Sequence, residues 1–208
     1  MGRPREHDEK TANVLLAAAE RTIEEGGTLS LRELARDAGT TTRAVYSLFG
    51  SKEALLGALG ARAFELLQAG LAALPETDDP RDDLVEAGLM FRRFALEHPA
   101  LFSIGIQRTE PSLWPRFRPA ASEALAALHR QVEPLVNAGL LGGRSVPDAA
   151  TQFHALCEGL AALELRRTPL APDPKQFWRT ALHALIAGFA IPTPGHPRRR
   201  AARTVGQR

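Results

Sequence analysis

Side chains with reactive potential are thinly spread along this chain. Its six histidines, His7, His98, His129, His154, His183 and His196, stand far apart, and its single cysteine, Cys157, has no basic neighbour to draw off its proton. No nucleophile–base pair, metal-ligand spacing or glycine-rich phosphate loop can be assembled from them. A disulfide or a structural zinc site would need a second cysteine. The expectation is therefore of no enzyme, no metal and no cofactor. One span differs from the rest. Between Ser30 and Lys52 the sequence gathers Thr40, Thr41, Thr42, Arg43, Tyr46 and Ser47, polar groups suited to phosphates and base edges.

Such groups need a scaffold, and the surrounding sequence reads as helical. Ala and Leu dominate, Tyr and Val are sparse, and no run alternates apolar with polar residues as a half-buried strand does. From Asp8 to Glu25, apolar positions at Val14, Leu15, Ala18, Ala19, Thr22 and Ile23 mark one helical face, which stops at Gly26-Gly27. Ser30-Leu31-Arg32-Glu33 has the form of a capping box, opening a short helix to Asp37 that buries Leu31, Leu34 and Ala35. Gly39 supplies a turn tolerant of positive φ. A second short helix runs from about Thr41 to Leu48, with Val45 and Phe49 inward. Ser51 then caps a long helix from Lys52 to about Leu74. After a turn at Pro75 to Pro80, helices are expected at about Arg81–Glu97, Pro99–Gln107, Ser112–Ala138, Pro147–Arg167 and Pro174–Ala190. The third of these carries Pro134, where a kink or break is expected.

Two short helices joined by a glycine turn, with a third helix as brace, make a helix-turn-helix. The second short helix must enter a major groove about 12 Å wide, so its outer face has to be small or polar. Thr40, Thr41, Thr42, Arg43, Ala44, Tyr46 and Ser47 satisfy that demand.

From Leu31-Arg32-Glu33-Leu34-Ala35 through Asp37-Ala38-Gly39-Thr40 and Tyr46-Ser47-Leu48-Phe49 to Ser51-Lys52-Glu53-Ala54-Leu55, the sequence resembles the N-terminal signature of the TetR family. The likeness runs without gaps from about Thr11 to Leu59, over a fifth of the chain. It implies an all-α fold: residues 1–50 a helix-turn-helix DNA-binding head with a basic N-terminal arm, 51–74 a connector helix, 75–191 a ligand-binding and dimerisation domain, and 192–208 a disordered basic tail. The resemblance puts Ser30, Thr40, Thr41, Thr42, Arg43 and Ala44 at the DNA side of the head, Tyr46 and Ser47 on phosphate, and Lys52 at a backbone clamp. A helix N-terminus with free N–H groups suits that last role. Where the family often has a small residue, this chain has Arg43, which would either pair with guanine or touch phosphate alone. Arg3 and Arg5, in Gly2-Arg3-Pro4-Arg5, would lie in a minor groove or remain solvated.

The same likeness implies a ligand pocket inside the larger domain. Phe91, Phe94, Phe102, Trp114, Phe117, Phe153, His154 and Cys157 are the candidates, and their apolar character points to a small hydrophobic effector. Aromatic residues at helical spacing are otherwise core, and His154 with Glu158 would otherwise be a surface pair or a weak metal site. The apolar helices at about 147–167 and 174–190 are expected to pair with a second copy, so that a homodimer sets two recognition helices on a pseudo-palindromic double-stranded DNA operator.

Charge is unevenly placed. No Asp or Glu lies beyond Asp173, whereas 7 of the 26 Lys and Arg do, Arg198-Arg199-Arg200 and Arg203 among them. The pI of about 9.1 is thus largely a property of the tail, which would be solvated or bind DNA non-specifically. With no signal core and no apolar run near the ~20 residues of a membrane span, a cytoplasmic protein is expected. Two other classes stay open at this point: a helical enzyme, and a DNA binder with little sequence preference and no ligand.

Overall fold

A computed structural model describes residues 6–107, 112–168 and 171–192, and among these every regular element is a helix. The order is α1 (Glu6–Glu24), α2 (Leu31–Asp37), α3 (Thr42–Phe49), α4 (Lys52–Ala72), α5 (Pro80–Glu97), α6 (Pro99–Leu101), a π-helical turn (Phe102–Gln107), α7 (Trp114–Asn137), α8 (Val146–Leu165) and α9 (Pro174–Phe189). Most starts are capped as the sequence leads one to expect. The side chains of Ser30, Thr41, Ser51, Asp79, Ser145 and Asp173 each accept from a backbone N–H in the first helical turn. Only one half of the Ser30 capping box forms, a long 3.5 Å bond from Glu33 N–H. Gly39 and Gly50, at φ 64° and 79°, turn the chain into and out of α3.

The helices α1, α2 and α3 close over Leu15, Ala19, Leu34, Ala35 and Val45, and the start of α4 seals them with Leu55 and Leu59, all buried. Val14 departs from expectation. It is 46% exposed, because α1 buries only the narrower face of Leu15, Leu16, Ala18 and Ala19. The rest of α4 lies against α7 and the π-helical turn. Glycines permit that approach: a Cβ at Gly60 would stand 2.8 Å from the Phe117 ring, and one at Gly105 would stand 2.8 Å from the Ala63 Cβ.

Three helices of the larger half are tied by one polar hub. Glu164 on α8 accepts from Trp178 Nε1 on α9 at 3.0 Å and from Arg92 Nε on α5 at 2.9 Å, so a charge between these helices is paired from two sides. The helix α7 continues through Pro134 and ends at Asn137, so of the expected kink or break the break does not occur. Proline removes a single backbone donor there, and only three residues of helix follow it. The helix α4 contains an 18-residue window of mean hydropathy 1.2, enough by length and composition alone to cross a bilayer, although Arg62 and Glu65 interrupt its apolar run. Here it is the shared core helix of both halves.

Candidate nucleic-acid interface and ligand cavity

The helix α3 presents a polar surface because Val45 alone anchors it fully. Val45 is buried, Leu48 and Phe49 are half-buried against the core, and Thr41, Arg43, Tyr46 and Ser47 are exposed. Thr42 and Ala44 are half-buried beside them, as is Thr40 in the preceding turn. Tyr46, a large aromatic, is 54% exposed. Two of the expected DNA residues also have structural roles: the Ser30 hydroxyl caps α2, and the Thr41 hydroxyl accepts from Ala44 N–H at 3.2 Å, fixing where α3 begins. Lys52 is exposed at the first turn of α4. Beside it, backbone N–H groups at the helix start hold the Glu53 carboxyl below its ordinary pKa, with help from Ser51. The positive end of the helix dipole also favours a phosphate near this start. Arg3, Arg5 and the Arg198–Arg203 tail lie outside the described residues.

The larger half encloses a cavity of about 270 Å³. Phe64, Leu67 and Leu71 of α4 form one wall, with Gly105 and Ile106 of the π-helical turn beside them. Opposite stand Ala87, Met90 and Phe91 of α5 and Phe153, His154 and Cys157 of α8, while α7 closes the remainder from Trp114 to Leu128. None of the lining side chains carries a fixed charge. Of the eight pocket candidates from the sequence, Phe91, Trp114, Phe153, His154 and Cys157 line this space. Phe94, Phe102 and Phe117 do not; they are buried supports behind it. Phe102 meets Phe91 edge-on at 6.1 Å, Phe117 stacks on Phe64 at 5.8 Å, and Phe94 packs on His98 at 5.8 Å. Aromatic residues at helical spacing give no sign of which side of the wall they will occupy.

Sequence reasoning did not single out Phe64 or Met90, both of which line the cavity. It also missed a bond between the two halves: His98 Nδ1, at the corner of α5 and α6, lies 2.7 Å from Glu20 Oε1 on α1. Glu20 is the one buried charged residue among those described. A Glu on the apolar face of α1, four residues after Leu16 and directly after Ala18-Ala19, was the available signal. Two titratable groups in the cavity are shifted. Burial lowers the His154 pKa, an effect partly offset by Glu158, whose Oε2 lies 3.5 Å from His154 Nε2. Burial pushes the Cys157 thiol up, so it is an uncharged, unreactive part of the wall.

A braced pair of short helices with an exposed polar face, joined through one long helix to a helical domain around a cavity, has the form of a helix-turn-helix DNA-binding regulator. The family comparisons agree with that class. Residues 15–59 match the model for bacterial regulatory proteins of the tetR family, and residues 84–185 match the Tetracyclin repressor-like C-terminal domain. The chain belongs to the TetR family and is a transcription regulator, not an enzyme. Similar solved structures include a protein of unknown function from Rhodococcus sp. RHA1, with 28% identity, a TM-score of 0.77 and coverage of 86% of this chain and 95% of that one. A TetR-family regulatory protein from Rhodococcus RHA1 has 18% identity, a TM-score of 0.67 and coverage of 88% and 98%. PfmR, a TetR family transcriptional regulator from Thermus thermophilus, has 23% identity, a TM-score of 0.62 and coverage of 84% and 97%. No curated protein sequence matches the chain.

Proposed function

We propose that this chain is a cytoplasmic repressor that binds a pseudo-palindromic operator as a homodimer and is released when a small hydrophobic molecule enters the cavity. Residues 1–50 act as the DNA-binding head and 75–191 as the sensor and dimerisation domain, with 51–74 between them. The observation that carries this reading is the double duty of α4. Leu55 and Leu59 seal the core of the head, and Phe64, Leu67 and Leu71 of the same helix line the cavity. A ligand that displaces one end of such a helix must tilt the other, and a pair of heads held about 34–36 Å apart loses register with the operator. A second route supports the same coupling. The π-helical turn that lines the cavity continues from α6, and the corner before α6 holds Glu20 of the head through His98.

The dimer reading rests on the last two helices. Phe153, Leu160, Leu182, Ile186 and Phe189 are consumed by the chain's own core. What faces outward is shorter: Ala155 and Gly159 on α8, Ala184 and Ala187 on α9, with Phe177 at 37% exposure. Short side chains let helices of a second copy approach closely.

The test is selection of genomic fragments by the purified protein at near-physiological salt, beside the double variant Tyr46→Ala, Lys52→Ala. A few sharp peaks sharing a pseudo-palindrome, lost in the variant, are expected. A flat profile, or peaks that survive the variant, would leave a DNA binder without operator preference.

A further inference from the structure

The cavity's lining restricts what can occupy it more tightly than "hydrophobic" does. We infer that the effector is an uncharged aromatic molecule of about two fused rings bearing one hydrogen-bond donor, its rings held among Phe64, Phe91 and Phe153 and its donor directed to His154. The inference rests on the proposed function, because it names the ligand class of that same site.

Size sets the first limit. An apolar cavity of ~150 Å³ accommodates benzene, so about 270 Å³ leaves room for less than two separate benzenes. A fused two-ring molecule fills that space. A long acyl chain or a large multi-ring drug does not fit without rearranging the walls.

Charge sets the second. Among the described residues no Arg, Lys, Asp or Glu lines the cavity, and none of those lining groups would repay the desolvation of a carboxylate or an ammonium. Among the described residues the polar lining groups are the His154 imidazole, the Cys157 thiol and, at the mouth, the Trp114 indole N–H, which can only donate. Burial keeps that thiol protonated, so it serves as a soft apolar contact.

Polarity sets the third. Burial also favours the neutral form of His154, which therefore offers one donor and one acceptor. The Glu158 carboxylate lies 3.5 Å from Nε2, and a carboxylate draws the ring proton to the nitrogen it faces. That leaves Nδ1 as the acceptor, whose complement is a hydroxyl or an N–H on the ligand. The imidazole is held for that task edge-on to Phe91, with centroids 5.7 Å apart and planes at 90°. Aromatic walls suit a flat ligand, since ring edges and faces attract. Trp114 both lines the cavity and is 42% exposed, so it stands at the mouth and reports on entry.

The experiment measures binding of three probes to the full chain by calorimetry and by Trp fluorescence: 2-naphthol, naphthalene and 2-naphthoate. The variants are His154→Phe, His154→Gln and Ala124→Leu, the last filling the cavity from α7. The expected order is 2-naphthol tightest, naphthalene roughly tenfold weaker for want of one hydrogen bond, and 2-naphthoate at least about a hundredfold weaker. His154→Phe should abolish the preference for 2-naphthol over naphthalene while leaving naphthalene binding intact, and His154→Gln should restore part of it. Ala124→Leu should weaken both neutral probes alike. Equal or tighter binding of 2-naphthoate, or no binding by any of the three, would overturn the ligand class. So would a His154→Phe variant that loses both neutral probes together. Operator release is read separately. If 2-naphthol binds as described but leaves the operator complex intact, the ligand class stands and the ligand-driven repressor reading falls. If a charged effector releases the operator, the reverse holds.

Discussion

The two ends of α4 serve surfaces built on opposite rules. At the head end, function faces outward. A single buried residue, Val45, anchors α3, and Arg43, Tyr46, Ser47 and Lys52 stand in solvent with nothing of their own chain to satisfy. At the other end the candidate surface faces inward: apolar walls line a cavity, and the polar groups behind them, the Glu164 hub above all, are paired with one another. The difference teaches where each half is vulnerable. Recognition by the head can be lost without loss of fold. The sensor's chemistry cannot be separated from its packing, because the side chains that shape the cavity also hold the helices together.

The sharpest way to break this contrast is a pair of aromatic truncations. Trp178 is fully buried and donates to Glu164, so Trp178→Ala removes its packing and leaves one acceptor position of a half-buried carboxylate empty. A loss of about 3–5 kcal/mol of folding stability is expected in denaturant unfolding. Tyr46→Ala removes a large aromatic side chain that is 54% exposed, and should change stability by less than about 0.5 kcal/mol while markedly weakening operator binding. If both variants destabilise alike, the head is not an outward-facing module.

Arg43 sharpens the comparison within the head. It is exposed at the start of α3, with no ion-pair partner among the described residues. Arg43→Ala should weaken operator binding by about 1–3 kcal/mol and relax preference at one base position of each half-site, in a selection from randomised operators. A uniform loss across all sequences, with a shallower salt dependence, would mean that Arg43 touches phosphate only.

These two predictions also mark how much was legible in the sequence. The head was readable because its determinants are local: Ser30, Gly39, Thr41 and Ser51 each set a helix boundary within three residues of themselves. The exposed character of Arg43, Tyr46 and Ser47 follows from helical periodicity around Val45. The cavity was only half readable. Its walls come from residues between 64 and 157 in sequence, and what decides lining against support is the side from which a neighbouring helix arrives. Phe91 and Phe94 lie on one helix three residues apart, yet only Phe91 faces the space. Phe117 is turned away by Gly60, whose missing Cβ admits the ring against α4. Val14 was misplaced for a related reason, because a short helical head buries a narrower face than apolar periodicity alone suggests.

The bond between the halves comes next in size. Glu20 is buried and His98 is its partner at 2.7 Å, so His98→Ala strands a carboxylate in the junction between α1 and the α5–α6 corner. A stability loss of roughly 1–3 kcal/mol is expected. The informative readout is coupling: the variant should still bind operator and still bind a cavity ligand, but the ligand should shift operator affinity by a smaller factor than in the parent chain. An unchanged factor would assign transmission to α4 alone.

The smallest expected effect concerns glycines that the chain itself does not need. Gly57, Gly60, Gly70, Gly88 and Gly105 are each met by a neighbouring atom within 3 Å of where a Cβ would sit. Gly159, in the middle of α8, is different: a Cβ there meets nothing within 4 Å. A glycine inside a helix costs about 0.5–1 kcal/mol relative to alanine, so Gly159→Ala should stabilise a lone chain by about that amount. The proposed dimer reverses the sign where it matters. If α8 of a second copy packs over this position, the added methyl group pushes the helices apart and weakens association. Sedimentation and chemical unfolding over a range of protein concentrations separate the two effects. Increased stability with unchanged dimerisation would place the interface away from Gly159, whereas increased monomer stability with weaker association would put the partner helix directly over it.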